Sequence, residues 1–458
     1  MNQENKKQNP LGVDSIPPLI AKYAVPSIIS MLVAAAYNIT DQIFIGNVIG
    51  MLGNAATNVE FPVVTFCSAL AHLIGVGTAT NFNIKIGEKK NDEAVRFAGT
   101  GITVAVIVGI LLFCGIFLFK TPVLLFCGAT ETVFPLAYSY LGITVFGLPF
   151  LLFSSTSSYL IRSDGSPTYS MLATTAGALL NVFLDWLFMF IFGWGIQGAA
   201  AATVTSQIVS CIICVLYLPR FKTVTIKREM LHIKWVYFKN ILRLGVANFI
   251  NHIIMTTVNI VMNNTLKHYG ALSVFGSDIP LAVAGVVAKL NTILSSFAVG
   301  LAQGCQPIFG FNIGAKNYGR VKETYKKAFV FTLTGSFVFF AAFQLFPRQI
   351  VSIFGGGNES YFTFAVRYMR IFMMMVCVYG IQPLSVNYFT ATGKAKQGIV
   401  LSVSRQGAFL LPLLIIVPMI FGIEGVLYAG PIADALACTL SLLMVSLSFK
   451  NLATPVAK

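Results

Sequence analysis

Asn181 and Asp185 stand four residues apart inside a long apolar stretch, so on a helix they share one face. Thr203 and Gln207 repeat that spacing in the next apolar stretch, and Asp41 lies in an earlier one. A carboxylate in the middle of about 25 apolar residues costs at least a few kcal/mol unless a partner or an ion meets it. Oxygen donors of this kind suit a hard cation such as Na⁺. Two neighbouring carboxylates also resist simultaneous ionisation, which suits a proton carrier. A third reading is a static network that only locks helices together.

The elements around these residues are set by composition. The chain has 458 residues, 56% hydrophobic and only 10% charged, with mean hydropathy +0.79. Soluble domains carry about 25% charged residues, so the class expected is an all-α polytopic membrane protein. The net charge of +15 does not signal nucleic acid, because the cations sit in short loops between apolar runs. Runs long enough to span a bilayer occur near 19–46, 54–84, 94–119, 131–161, 169–193, 196–219, 237–266, 278–312, 323–346, 360–391, 397–420 and 423–449. With the N-terminus inside, only Lys120, Lys267, Arg348, Arg367 and Arg370 of the 31 Lys and Arg fall outside, and Lys289 and Arg405 lie within spans. Both termini are therefore expected in the cytoplasm of a multi-pass cell-membrane protein. The polar tail with Lys6 and Lys7 has no apolar core before a cleavage site and does not look like a signal peptide. Cys211 and Cys214 form a CxxC without a second ligand pair, so small buried thiols are expected rather than a metal or a disulfide.

The chain also repeats. Gly87 matches Gly314, and the GIQG at Gly195 matches the GIEG at Gly422, both at an offset of 227 residues; Gly165 matches Gly393 at 228. Each half holds six spans, which implies two pseudo-symmetric six-helix lobes in a parallel repeat. The boundaries expected are a tail at 1–17, a first lobe at 18–219, a basic linker at 220–236, a second lobe at 237–450 and a tail at 451–458. Counting 1.5 Å per residue from the outer ends of spans 1, 5 and 6 puts Asp41, Asp185 and Thr203 all roughly 8–12 Å below the outer boundary. The first lobe can thus gather two carboxylates, Asn181 and a threonine hydroxyl. Under the repeat, Asp41 aligns with Met262, Asn181 with Ala408 or Phe409, and Asp185 with Pro412 or Leu413, so the acids are missing from the second lobe.

YNITDQIFIGNVIG in span 1, the RSDGSP turn, NVFLDWLF in span 5, GWGIQGAAAATVTSQ in span 6 and GCQPIFGFNIGAKN after span 8 together resemble the multidrug and toxic compound extrusion (MATE) transporters, DinF-like branch. The resemblance touches both halves. It implies export of drug-like small molecules by antiport with H⁺ or Na⁺ and alternating access between the lobes. It also implies that Asp41, Asn181, Asp185 and Thr203 match the coupling site, where Na⁺ is one ion to be held; no further cofactor is expected. The branch with acids in spans 7 and 10 is excluded, since neither interior contains Asp or Glu.

Other positions carry paired readings. Pro26 is a hinge of span 1 or a fixed kink. Tyr37, one turn before Asp41, hydrogen-bonds to it or merely packs. Glu60 and Lys289 lie in the outer half and can pair across the lobes as a gate. Arg405 and Asp434 reach similar depth as an ion pair, although PIADALA resembles an acidic family position, which keeps a substrate role for Asp434 open. Phe side chains and Met373 to Met375 suit an adaptable cavity, and aromatic walls beside an acid pair favour amphipathic cations. Gly355 to Gly357 is expected as an outer turn, not a phosphate loop. His72, His232, His252 and His268 are scattered along the chain and form no catalytic or metal motif, so an enzyme is not expected. A lipid-linked oligosaccharide flippase of the same superfamily is the rival; it resembles fourteen-helix chains with basic cavities. A monomer in contact with membrane lipid completes the expectation.

Overall fold

The computed structural model describes residues 9–225, 232–276, 278–354 and 359–452. The glycine turn expected at 355–357, the middle of the basic linker and the outermost tails lie outside them. Twelve apolar helical spans follow one another. We number them α1 (Ile16–Val48), α2 (Met51–Gly87), α3 (Asn91–Leu118), α4 (Phe134–Ser163), α5 (Pro167–Ile191), α6 (Gly195–Arg220), α7 (Trp235–Ala271), α8 (Ile279–Gly314), α9 (Tyr318–Leu345), α10 (Glu359–Phe372 and Val376–Ala391), α11 (Ala395–Phe421) and α12 (Ile423–Asn451). No strand occurs among the described residues. Starts are marked by Pro17, Pro135 and Pro167 in first turns, where a missing N–H costs nothing. α10 bends by 44° at 373–375. Those methionines therefore form a break rather than a uniform cavity wall: Met373 is buried in the core and Met374 is exposed.

The repeat is visible in the backbone. Left-handed conformations recur at matching positions in the two halves: Lys89 and Lys316, Gly165 and Gly393, Gly195 and Gly422. At each, the chain must reverse between two spans within a few residues, which favours glycine at four of the six.

Each half forms a six-helix lobe, α1–α6 and α7–α12. Because every lobe has an even number of spans, both described ends of the chain reach the same face, here called the terminus face. α1 and α2 of the first lobe pack against α8 and α7 of the second. Glycines permit the closest approaches. A side chain added at Gly304 would meet the Ala24 backbone, at Gly77 the Ile241 carbonyl, at Gly245 the Leu73 carbonyl, at Gly87 the Phe311 carbonyl and at Gly314 the Ile84 carbonyl. Gly87 and Gly314 thus exchange equivalent contacts across the two-fold. All these approaches lie in the half of the helices nearest the terminus face. α1 also packs on α5 of its own lobe, where Asp41 meets Asp185.

The segment before α1 is more ordered than a polar tail requires. Pro10–Val13 forms a helical turn with Leu11 buried, and Asn312 and Arg320 of the second lobe donate to the Leu11 carbonyl. At the other end of the first lobe, Asp164 holds the start of the linker. It accepts from the Tyr217 hydroxyl at 2.9 Å, the Lys222 N–H at 2.6 Å, and the Thr223 N–H and hydroxyl at 2.8 and 2.5 Å. Burial pushes the Asp164 carboxyl above the usual carboxylate range, and these four hydrogen bonds oppose that shift.

Candidate functional site

Four helices of the first lobe deliver polar groups to one buried point near the far face. α1 brings Asp41, α4 Tyr140, α5 Asn181 and Asp185, and α6 Thr203. Asp185 is 0% exposed, Asn181 1% and Asp41 9%. The Asp41 and Asp185 carboxyls lie within hydrogen-bond reach of each other. Asn181, one turn before Asp185, donates its amide N–H to Asp185 Oδ2 at 3.2 Å and accepts from the Thr203 backbone N–H at 3.3 Å. That amide orientation is the one in which both of its groups find partners. The Tyr140 hydroxyl lies beside the Thr203 side chain. Immediately after Asp185 the helix widens into a π-turn, Trp186–Ile191, an irregularity found mostly at functional sites.

The chemistry follows from the orphan atoms. Asp41 Oδ1 and Asp185 Oδ1 are buried without a hydrogen-bond partner among the described residues. Two ionised carboxylates have no hydrogen to share, so their contact needs either a proton on one of them or a cation between them. The surrounding donors are all oxygen or amide, which fits H⁺ or a hard cation such as Na⁺ and disfavours a softer metal. No cluster of three or more His, Cys, Asp or Glu side chains occurs among the described residues.

Asp41, Asn181, Asp185 and Thr203 therefore come together, as span depth predicts. Other expected members do not. Gln207, one turn below Thr203, points towards Gly147, and its Oε1 has no partner; the same helical face at a different depth is a different neighbourhood. The Tyr37 side chain is near both carboxylates but makes no hydrogen bond to Asp41 among the described residues. Glu60 and Lys289 do not pair in this structure: Glu60 accepts from the Thr144 hydroxyl at 2.5 Å inside its own lobe, while Lys289 lies 6.0 Å from the Phe354 ring centroid. α1 runs unbroken through Pro26, whose carbonyl accepts from the Ser30 hydroxyl at 2.9 Å. In the second lobe Arg405 Nε donates to Asp434 Oδ1 at 2.5 Å and the guanidinium sits 4.5 Å from the Tyr379 ring centroid. The ion-pair reading of those two residues is the one the geometry matches.

Two groups had no sequence signal. Tyr140 belongs to a stretch without polar periodicity, and only its distance of 228 residues from Tyr368, matching the repeat, singles it out. His72 and His252 are 180 residues apart in sequence yet in contact.

The sequence profile of the family described as MatE matches residues 26–187 and 246–416. These two blocks cover most of both lobes, and the chain belongs to the MatE family. The multidrug export protein MepA of Staphylococcus aureus is 24% identical over 426 residues, spanning 93% of this chain and 92% of that protein. Among solved structures, an outward-facing multidrug resistance MATE transporter of the MOP superfamily superposes with a TM-score of 0.92 at 21% identity, covering 98% of this chain and all of that one. A MOP superfamily transporter from Pyrococcus furiosus, whose binding pocket is described as reversed in polarity and as suggesting a different function, gives 0.91 at 21% identity over 99% of this chain and 100% of its own. At such identities the likeness establishes the fold.

Proposed function

We propose that the protein is an antiporter that exports amphipathic, often cationic, drug-like compounds in exchange for H⁺ or Na⁺, by alternating access. The observation that carries this reading is the Asp41–Asp185 contact with its two orphan oxygens; the glycine approaches seal the lobes near the terminus face, and the reading takes them to open as a cleft beyond that seal. The terminus face is assigned to the cytoplasm by its cationic loops, so the cleft faces outward. An ion arriving from outside occupies the acid pair and removes the negative charge that favours a bound cation. Drug and coupling ion then compete for one site, which is how exchange excludes uncoupled leak. Tyr140, Asn181 and Thr203 hold the two carboxyls in register. Bending of α1 at Pro26 is the proposed response to that loading, and Glu60 with Lys289 the proposed outer gate when the lobes swing. A double-mutant comparison tests the gate: Glu60→Gln and Lys289→Ala are expected to share one loss of export, and independent losses refute it.

The direct test is ethidium export by cells making the wild type or Asp185→Asn at matched membrane levels, with and without a protonophore at fixed Na⁺. Export by the wild type alone supports the reading, and the protonophore response separates H⁺ from Na⁺. Equal export by the mutant refutes the site. No export by either protein turns attention to the flippase alternative.

A further inference from the structure

A second group of titratable side chains crosses between the lobes beside the seal. His72 on α2 and His252 on α7 stand with ring centroids 4.8 Å apart and planes tilted by 45°. His72 Nδ1 lies 2.7 Å from the Ser68 carbonyl, which can only accept. Nδ1 therefore carries the hydrogen, and Nε2 holds the lone pair. The His72 ring also meets Tyr159 of α4 edge-on at 6.0 Å. The Tyr159 hydroxyl accepts from Gln303 Nε2 at 3.0 Å, and Gln303 Oε1 accepts from Arg162 Nη1 at 3.1 Å. The Arg162 guanidinium lies 5.4 Å from the Tyr159 ring centroid. The string is continuous and changes lobe three times, with His72, Tyr159 and Arg162 from the first and His252 and Gln303 from the second. One residue past His72, the Leu73 carbonyl closes against Gly245, so the histidines lie within the α2–α7 contact, which the Phe66 and Phe249 rings extend at 6.1 Å. Both are half-buried.

The charges around this contact are one-sided. From α4 the groups facing it are the Tyr159 phenol and the Arg162 cation. From α8 it is the neutral Gln303. Glu60, on α2 itself, is three turns away and bound to Thr144. Asp41 of α1 is engaged with Asp185, Lys289 of α8 lies by Phe354, and Arg405 of α11 closes on Asp434. Arg96 of α3 adjoins Phe97, which packs on Tyr237 at the terminus end of α7. Arg162 has no carboxylate partner among the described residues, and no carboxylate meets either imidazole.

We propose that His72 and His252 form a second proton site, distinct from the acid pair, and that protons taken up there from the cleft release the seal at the terminus face. A charge added to either ring faces the other ring and Arg162 with no anion between them. Like charges so placed weaken the closed contact, and parting the lobes lets water reach all five groups. By linkage, what protonation does to the seal, opening the seal does to protonation. The pair is thus closed when neutral and opens as the pH falls below the free imidazole value of about 6.5. This inference rests on the alternating-access reading above but not on the coupling role of Asp41 and Asp185.

The test follows lobe separation without transport. An encoded spin-label amino acid at Asp92 and at Tyr318, both exposed on the terminus face of opposite lobes, reports their distance by double electron–electron resonance in nanodiscs. The wild-type distribution is expected to shift to longer distances between pH 8 and pH 5. His72→Gln and His252→Gln are expected to stay short at both pH values. His252→Lys, which carries a permanent cation, is expected to be long already at pH 8. The Asp41→Asn/Asp185→Asn protein is expected to keep the wild-type pH response. A wild-type distance unchanged by pH, or glutamine variants that follow the wild type, overturns the proposal. A response lost with the aspartates but kept without the histidines also overturns it and leaves the coupling reading standing. Failure of wild-type ethidium export with the histidine-dependent response intact does the reverse.

Discussion

In the first lobe Asp41 and Asp185 face each other with an oxygen apiece left over; in the second, Asp434 faces the Arg405 guanidinium. Both lobes place an acid in the membrane interior on the same six-helix frame, yet only one leaves its charge to be met by something that comes and goes. The positions of the second lobe that match the acid cluster have gone dry. Met262, the counterpart of Asp41, packs into an apolar cluster with Phe409 and Leu413, which with Ala408 and Pro412 are the candidate counterparts of Asn181 and Asp185, and the Tyr368 hydroxyl, 228 residues after Tyr140, donates to the Met262 sulfur at 3.9 Å. A buried charge that is internally neutralised is structure, whereas one that is not needs an exchangeable partner. The frame itself tolerates both, so the acids of the first lobe are not a requirement of the fold.

The largest effect expected is at the unpaired acids: Asp185→Asn should reduce drug export to the level of cells without the protein while leaving the purified protein's melting temperature close to wild type. Loss of folding together with export would make the two lobes alike. Next comes the second lobe's ion pair. Arg405→Met leaves a buried carboxylate alone and should destabilise the protein by about 3–5 kcal/mol, whereas the double change Arg405→Met/Asp434→Leu should fall close to wild type or above it. Thermal unfolding in detergent checks this, and a double mutant as unstable as the single one would mean that the pair does more than neutralise itself. A milder effect is expected at the seal. Gly245→Ala directs a methyl group at the Leu73 carbonyl, so the lobes should part at the terminus face, read as faster labelling of a cysteine introduced at Asn240. Smallest is Tyr140→Phe, which removes the hydroxyl beside Thr203; at about 1 kcal/mol for one hydroxyl interaction, apparent ion affinity should fall roughly fivefold with folding intact.

The spans were legible because a long uninterrupted apolar run, in a chain this poor in charge, fits little besides a membrane crossing. The convergence of Asp41, Asp185 and Thr203 was legible for a related reason: between straight spans, depth can be counted at 1.5 Å per residue. Counting depth says nothing about rotation, however. Gln207 lies one turn from Thr203 and turns to the gap left by Gly147, and Tyr140 enters the cluster from a helix with no polar pattern. Tyr37 has the right spacing but makes no hydrogen bond to Asp41 among the described residues. The histidine contact depends on how the lobes cross, which is set by glycine approaches such as that of Gly245 on the Leu73 carbonyl, and that crossing leaves no trace in local periodicity. The Arg405–Asp434 pair was legible because two opposite charges in neighbouring spans joined by a short turn have little else to meet.

The difference between the lobes is tested most directly by exchange in proteoliposomes, with drug efflux driven by an imposed H⁺ or Na⁺ gradient and followed for Asp185→Asn beside Arg405→Met/Asp434→Leu. The account predicts that one of the two gradients drives efflux in the wild type and in the second-lobe double mutant, and that neither drives it in Asp185→Asn. Gradient-driven efflux by Asp185→Asn, with loss in the second-lobe mutant, would contradict it and move coupling to the other lobe.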